Sequence, residues 1–207
     1  MWLDPRYFIF FMLSYILGSI PFSVWIGKLW YGIDIRQHGS GNAGATNTFR
    51  VLGKKAGVIV LILDVLKGYL AVFLPVWLGL EHAGNIRVVC GLISVLGHVY
   101  SVFLNFKGGK GVATSLGVMV ALAPLATISS AIVFLVLWRL SAYISLSSII
   151  SSIVFPIFHL IWHNNASKLQ WSVVVLMPLI ILYTHRSNIK RLIRGNENKI
   201  SMWKSKK

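Results

Sequence analysis

The chain has 207 residues, of which 56% are hydrophobic and 12% are charged, and its mean hydropathy is +0.73. A soluble domain carries roughly 25% charged residues, so this composition excludes an ordinary soluble protein and indicates an integral membrane protein. The 20 lysines and arginines outnumber five acids, but they flank apolar segments, which favours membrane topology and anionic ligands over a nucleic-acid partner.

Apolar stretches follow one another along the chain, separated by polar loops. Each is predicted to be a helix, because an open strand cannot satisfy its backbone hydrogen bonds in lipid. They cover residues 8–30 (interrupted by Gly18-Ser19-Ile20-Pro21), 57–80, 88–106, 112–140 (containing Pro124), 146–162 and 171–184.

The number of spans depends on whether Pro124 divides the stretch 112–140. If it does, there are seven segments, and an outside N-terminus leaves 16 of the 20 lysines and arginines inside and three outside, with Lys67 within a span. If the stretch is undivided, the basic tail lies on the other side of the membrane from the polar loops, and the excess of positive charge on one side is lost. The sequence therefore predicts an all-α integral membrane protein, a seven-helix bundle.

The segment 112–123 is short for a span. As a helix it would be ~18 Å long, against ~30 Å of hydrocarbon, so we expect the glycine loop before it to line a polar cavity. The whole chain, 1–207, is predicted to be a single transmembrane domain with a basic tail from about residue 185.

A glycine-rich basic loop precedes that short segment. Glycine lets a ligand approach the main chain closely, and the start of the following helix favours an anion such as phosphate. The nucleotide P-loop spacing is absent. A flexible basic turn remains the alternative. The loop reads Phe106-Lys107-Gly108-Gly109-Lys110-Gly111-Val112-Ala113-Thr114.

The first polar loop, residues 38–50, alternates small hydrogen-bonding side chains with glycine and ends at Arg50. Such a loop can surround an oxyanion, and an arginine can add a two-pronged contact. A solvated loop followed by a helix cap is the alternative. Its polar candidates are Ser40, Asn42, Thr46 and Asn47.

Three further polar groups lie within apolar stretches or directly after them. Asp64 and Lys67 share one helix face at i and i+3, which favours a structural ion pair over substrate contact. His98 is either a buried structural histidine or a group that positions substrate or moves a proton. In the tail, His185 and Asn188 share a helix face among basic residues, which an amphipathic helix on anionic lipid explains only in part.

Four blocks in this order resemble the PlsY family, the bacterial integral-membrane acyl-phosphate:glycerol-3-phosphate acyltransferases. No metal motif or Ser-His-Asp triad is present, and the His-x-x-x-x-Asp arrangement of many glycerolipid acyltransferases is missing. The blocks are Gly39-Ser40-Gly41-Asn42 through Asn47 and Arg50; Leu63-Asp64-Val65-Leu66-Lys67-Gly68; Gly97-His98 through Lys107–Thr114; and Thr184–Ile189 through Gly195 and Glu197.

This resemblance implies acyl transfer from acyl phosphate to the 1-hydroxyl of glycerol 3-phosphate, giving lysophosphatidic acid and phosphate without a cofactor or metal. It also implies a bacterial cytoplasmic (inner) membrane location with the site facing the cytoplasm, and coupling to an enzyme that produces acyl phosphate. A transporter of a phosphorylated solute and a different membrane acyl- or phosphotransferase are the rival functions.

The resemblance also assigns roles. Ser40, Arg50 and Lys107 are expected on the acyl-phosphate side, with the Gly108–Gly111 amides, and His185 and Asn188 on the glycerol 3-phosphate side. Lys110 is shared between the two. Further phosphate contacts are expected from Asn42, Thr46, Asn47 and Thr114, and support from Asp64, Lys67, His98, Arg186 and Glu197.

Overall fold

The computed structural model describes residues 4–80, 83–163 and 165–200 as helices joined by short loops. Short 3₁₀ turns occupy Ile35–Gln37 and Val102–Leu104. The α-helices are α1 (Arg6–Ser19), α2 (Phe22–Tyr31), α3 (Ala45–Val51), α4 (Lys54–Trp77), α5 (Gly84–Val99), α6 (Val112–Leu122), α7 (Pro124–Ser141), α8 (Ile144–Trp162), α9 (Lys168–Thr184) and α10 (Arg186–Ile193).

These helices reproduce the predicted segments. Helices α4, α7 and α8, and α5 with its following turn, are each long and apolar enough to cross a membrane. The pairs α1–α2 and α9–α10 pass the same test only together, with bends of 44° and 61°, and α6 is a shorter apolar helix of 11 residues. The all-helical membrane fold is confirmed, and α7 begins at Pro124, where a proline is well tolerated.

The buried ion pair braces the bend between α1 and α2. Lys67 Nζ lies 2.8 Å from Asp64 Oδ1, and both side chains are almost wholly buried. The same ammonium donates a hydrogen bond of 2.8 Å to the Ile20 carbonyl, at the break before Pro21. Because the bend interrupts the helical ladder, this contact satisfies a carbonyl in an apolar setting.

Close backbone approach packs the helices. A Cβ atom on Gly18 of α1 would collide with the Ser94 backbone of α5, and one on Gly117 of α6 would collide with the Val65 carbonyl of α4. Small residues at such contacts are typical of membrane helix packing. While α6 packs on α4, α7 packs mainly on α8, and a cavity lies between the two pairs.

Candidate active site

The main cavity has a volume of about 520 Å³ and combines a polar end with an apolar limb. Its walls come from α3, α4 and α6 on one side and from α7 to α10 on the other. The polar end is lined by Ser40, Asn42, Thr46, Asn47, Arg50, Lys54, Lys110, His185, Asn188, Arg191, Glu197 and Asn198; the limb by Val58, Leu61, Leu116, Met119, Ala131, Phe134, Phe155, Met177, Pro178 and Ile181, with several serines.

Four cations reach the polar end: Arg50, Lys54, Lys110 and Arg191. The Arg50 guanidinium makes no side-chain hydrogen bond within the part of the chain that the structure describes, so its donors remain available to a ligand. Burial, with the nearby charges of Arg191 and Arg50, lowers the pKa of Lys110 to about 8 against the opposing effect of Glu197. Cations that crowd each other at a partly buried surface form an anion site.

Asn188 links one of these cations to a carboxylate. Its Oδ1 accepts a hydrogen bond from Lys110 Nζ, and its Nδ2 donates to Glu197 Oε1 at 2.6 Å. Arg191 Nε donates to the second Glu197 oxygen at 2.7 Å. Burial alone would raise the pKa of Glu197, but the hydrogen bonds from Asn188 and Arg191 lower it, so the network holds an ionised carboxylate.

His185 lies at the bend between α9 and α10 and lines the cavity. Its Nδ1 is 2.8 Å from the Ile181 carbonyl. Since a carbonyl can only accept, Nδ1 carries the hydrogen, and Nε2 of the neutral ring keeps a lone pair. Within the described residues Nε2 has no hydrogen-bond partner, so it is free to accept a proton or hydrogen bond from a ligand in the cavity.

Asn47 organises the first polar loop from inside. Its Oδ1 accepts from the backbone N–H of Ser40 at 2.8 Å and from its hydroxyl at 3.1 Å. Its Nδ2 donates to the carbonyls of Ile35 and His38. Asn47 is buried and its amide is occupied by the loop, so it shapes the site and presents Ser40, Asn42 and Thr46 at the cavity wall.

The glycine loop offers a different set of amides from the one that the sequence predicts. The N–H groups of Gly108 and Gly109 donate to the carbonyls of Val99 and His98 at 2.9 and 3.0 Å, so they are not free for phosphate. The free donors lie further on, at Gly111 and the first turn of α6, which line the cavity. The N–H groups of a helix's first turn have no carbonyl partner in that helix, and no side chain caps this one.

Lys107 is another correction to the predicted site. Asn105 and Phe106 have φ angles of 50° and 60°, and this left-handed turn leaves Lys107 exposed in a separate surface depression beside Asp34 and Arg36. The structure does not bring its side chain into the main cavity. Sequence alone could not separate it from Lys110, because both lie among the same glycines.

Of the other supporting residues, Asp64 and His98 form part of the cavity wall, whereas Thr114 and Arg186 do not. Thr114 is buried and its hydroxyl lies 3.1 Å from Nδ1 of His98, so it does not reach the polar end. The same His98 nitrogen lies 3.7 Å from Asp64 Oδ1, which joins α4, α5 and α6. Arg186 is exposed and lies over the Tyr183 ring at 4.6 Å. Lys54 and Arg191, by contrast, line the cavity although the predicted site did not include them.

Comparisons with known proteins identify the family. A family model described as glycerol-3-phosphate acyltransferase matches residues 8–195. A glycerol-3-phosphate acyltransferase of Fusobacterium nucleatum is 44% identical over 193 residues, covering 93% of this chain and 97% of that protein. Glycerol-3-phosphate acyltransferase 2 of Bacillus anthracis is 48% identical over 189 residues, covering 91% and 96%.

Solved structures also match. A crystal structure of PlsY (YgiH), an integral membrane glycerol 3-phosphate acyltransferase, in its glycerol 3-phosphate form has a TM-score of 0.87 at 40% identity, covering 95% of this chain and 96% of that chain. The lysophosphatidic acid form of PlsY has a TM-score of 0.85 at 39% identity over the same shares.

Proposed function

The chain belongs to the PlsY family of integral-membrane glycerol-3-phosphate acyltransferases, and we propose that it takes its acyl group directly from acyl phosphate and releases lysophosphatidic acid and inorganic phosphate. The observation that carries this proposal is one cavity with a cationic end and an apolar limb. Both substrates carry a phosphate, and one of them also carries a long apolar chain.

The phosphate of the acyl donor and that of glycerol 3-phosphate both bind to the cavity cations. Arg50 and Ser40 hold the phosphate of the acyl donor, with the free amides at the start of α6. Lys110 and Asn188 hold glycerol 3-phosphate, and Arg191 is added to the residues that the sequence suggested. The acyl chain lies in the apolar limb between α4 and α7. Lys107, which is exposed outside the cavity, has no part in it.

The reaction is a direct transfer. Acyl phosphate is a mixed anhydride with a good leaving group, so the acceptor hydroxyl attacks its carbonyl carbon, the bond to the phosphate oxygen breaks, and no acyl-enzyme is needed. The hydroxyl proton passes to Nε2 of His185 or to a phosphate oxygen, and the leaving phosphate takes up the proton that His185 has accepted. Holding the two groups together supplies much of the rate, and donors at the developing oxyanion add more.

The charge pattern supports a location in the bacterial cytoplasmic membrane with the polar end facing the cytoplasm. Arg50, Lys110 and the α10 cations lie at the end of the bundle to which the positive-inside rule assigns the cytoplasm. On that side a soluble or peripheral enzyme can supply acyl phosphate, which is too reactive to be stored.

Radiolabelled glycerol 3-phosphate separates this function from its rivals. Purified protein in detergent should convert the label to an organic-soluble lipid with palmitoyl phosphate but not with palmitoyl-CoA. A transporter gives no lipid under these conditions, because it needs a sealed vesicle. Equal turnover with both donors would refute direct use of acyl phosphate.

A further inference from the structure

A strap of residues 195–200 crosses from α10 to the turn between α7 and α8 and is bonded at both ends. At its start, the N–H of Asn196 donates to the Arg191 carbonyl at 3.0 Å. At its far end, the N–H of Ile200 donates to the Ala142 carbonyl at 2.9 Å, and Trp138 Nε1 donates to the Ile200 carbonyl at 2.9 Å. The strap therefore joins two helices that face each other across the cavity.

Between these ends the strap contributes to the cavity. Asn198 lines it, and the Glu197 side chain, only 5% exposed, receives three hydrogen bonds. One of them comes from the Ser145 hydroxyl of α8 at 2.8 Å; the others come from α10. A carboxylate with three donors from two helices is held in one orientation.

We infer that this strap is a positioning element for the substrate phosphate and that Trp138 is a positioning residue that acts through it. The contacts run from the Trp138 indole to Ile200, along the strap to Glu197, and from there to Asn188 and Lys110. A free lysine side chain has many rotamers, and fixing it has an entropic cost. Because the strap is bonded to α7 and holds Glu197 in place, the Lys110 side chain loses its rotamer freedom during folding, before substrate binds. The inference rests on the proposed phosphate contact of Lys110.

Trp138→Phe tests the strap because it keeps an aromatic ring at this position of the cavity wall and removes the indole donor, together with part of the ring; Ile200→Pro is the second variant because it leaves the cavity wall intact. We expect the Kd and KM for glycerol 3-phosphate to rise roughly two- to tenfold, as for the loss of one neutral hydrogen bond, while kcat and the melting temperature stay near wild type. Ile200→Pro, which removes the N–H bonded to Ala142, should act in the same direction. Trp162→Phe is the matched control, since its indole donates to Ser129 away from the strap.

Measuring equilibrium binding alongside turnover keeps the two proposals apart. A wild-type protein that ignores acyl phosphate refutes the proposed reaction, whatever the variants do. Unchanged Kd and KM in both strap variants overturn the strap inference, whatever the donor. A fall in kcat and melting temperature at unchanged Kd also overturns the strap inference, because that pattern means that the strap stabilises the fold without positioning the substrate.

Discussion

Asn188 is held between a cation and an anion: its amide oxygen accepts from Lys110 Nζ and its amide nitrogen donates to Glu197 Oε1 at 2.6 Å. These two partners fix which way the amide points, because an ammonium has only donors and an ionised carboxylate has only acceptors. The position of Lys110, in the loop before α6, therefore depends on an uncharged residue of α10.

Asn188→Asp should disable the site. It would replace the donor with a carboxylate oxygen directly against Glu197, so a hydrogen bond to a charged group, worth about 1.5–3 kcal/mol, gives way to repulsion between two carboxylates. We expect kcat/KM to fall on the order of 100-fold or more. Asn85→Asp is the control, since Asn85 is exposed and, among the residues that the structure describes, its amide oxygen accepts only from Ser167. Near-wild-type turnover of Asn188→Asp would contradict the role given to this amide.

The activity should decline on the alkaline side near the pKa of Lys110, about 8. Below that pH the ammonium carries its charge and binds phosphate; as the pH rises through 8 it loses the proton, so kcat/KM for glycerol 3-phosphate falls. In Lys110→Arg the guanidinium stays charged, and the decline should move to higher pH. If kcat/KM falls over the same alkaline pH range in both proteins, the decline does not come from deprotonation of Lys110.

Gly109→Ala should destabilise the protein rather than only weaken phosphate binding. A Cβ atom there would collide with Nε2 of His98 and approach the Ala43 carbonyl, and overpacking of this kind costs about 1–3 kcal/mol. The melting temperature in detergent should fall. Gly84→Ala is the control, because nothing lies within 4 Å of its added carbon. A Gly109→Ala protein that melts like wild type but fails to use phosphate substrates would favour the cradle predicted from the sequence.

The topology predicts opposite labelling of two engineered cysteines. In intact cells, an impermeant thiol reagent should label Lys168→Cys at the start of α9 and should not label Asn196→Cys in the strap. The native Cys90 is buried and gives little background. Labelling of Asn196→Cys from outside would reverse the proposed orientation.

Much of the fold could be predicted from local signals. Pro124 and the charge pattern gave the division of the stretch 112–140, and the spacing of Asp64 and Lys67 gave their ion pair. The family resemblance, now confirmed, supplied His185, Asn188 and Glu197 as site residues. The ion pair and the division at Pro124 follow from helical periodicity, proline geometry and the distribution of charge, and the site residues from the order of motifs along the chain, none of which requires knowledge of tertiary contacts.

The remaining features depend on tertiary structure. Whether Lys107 or Lys110 enters the cavity is decided by a left-handed turn at Asn105 and Phe106, which neither residue type demands. The amides of Gly108 and Gly109 are taken by the end of α5, a partner that no local pattern names. The strap contact between Trp138 and Ile200 joins residues 62 positions apart.

The central claim is that the cavity, and not the surface depression, binds the substrate. Comparing variants of Lys110, which lines the cavity, and Lys107, which lines the depression, tests it most directly. The measurement is equilibrium binding of radiolabelled glycerol 3-phosphate to purified, folded Lys110→Met and Lys107→Met proteins. The structure predicts that Lys110→Met weakens binding about tenfold or more, as for a lost charged hydrogen bond, while Lys107→Met stays within about twofold of wild type. Loss of binding in Lys107→Met with normal binding in Lys110→Met would contradict the cavity as the substrate site.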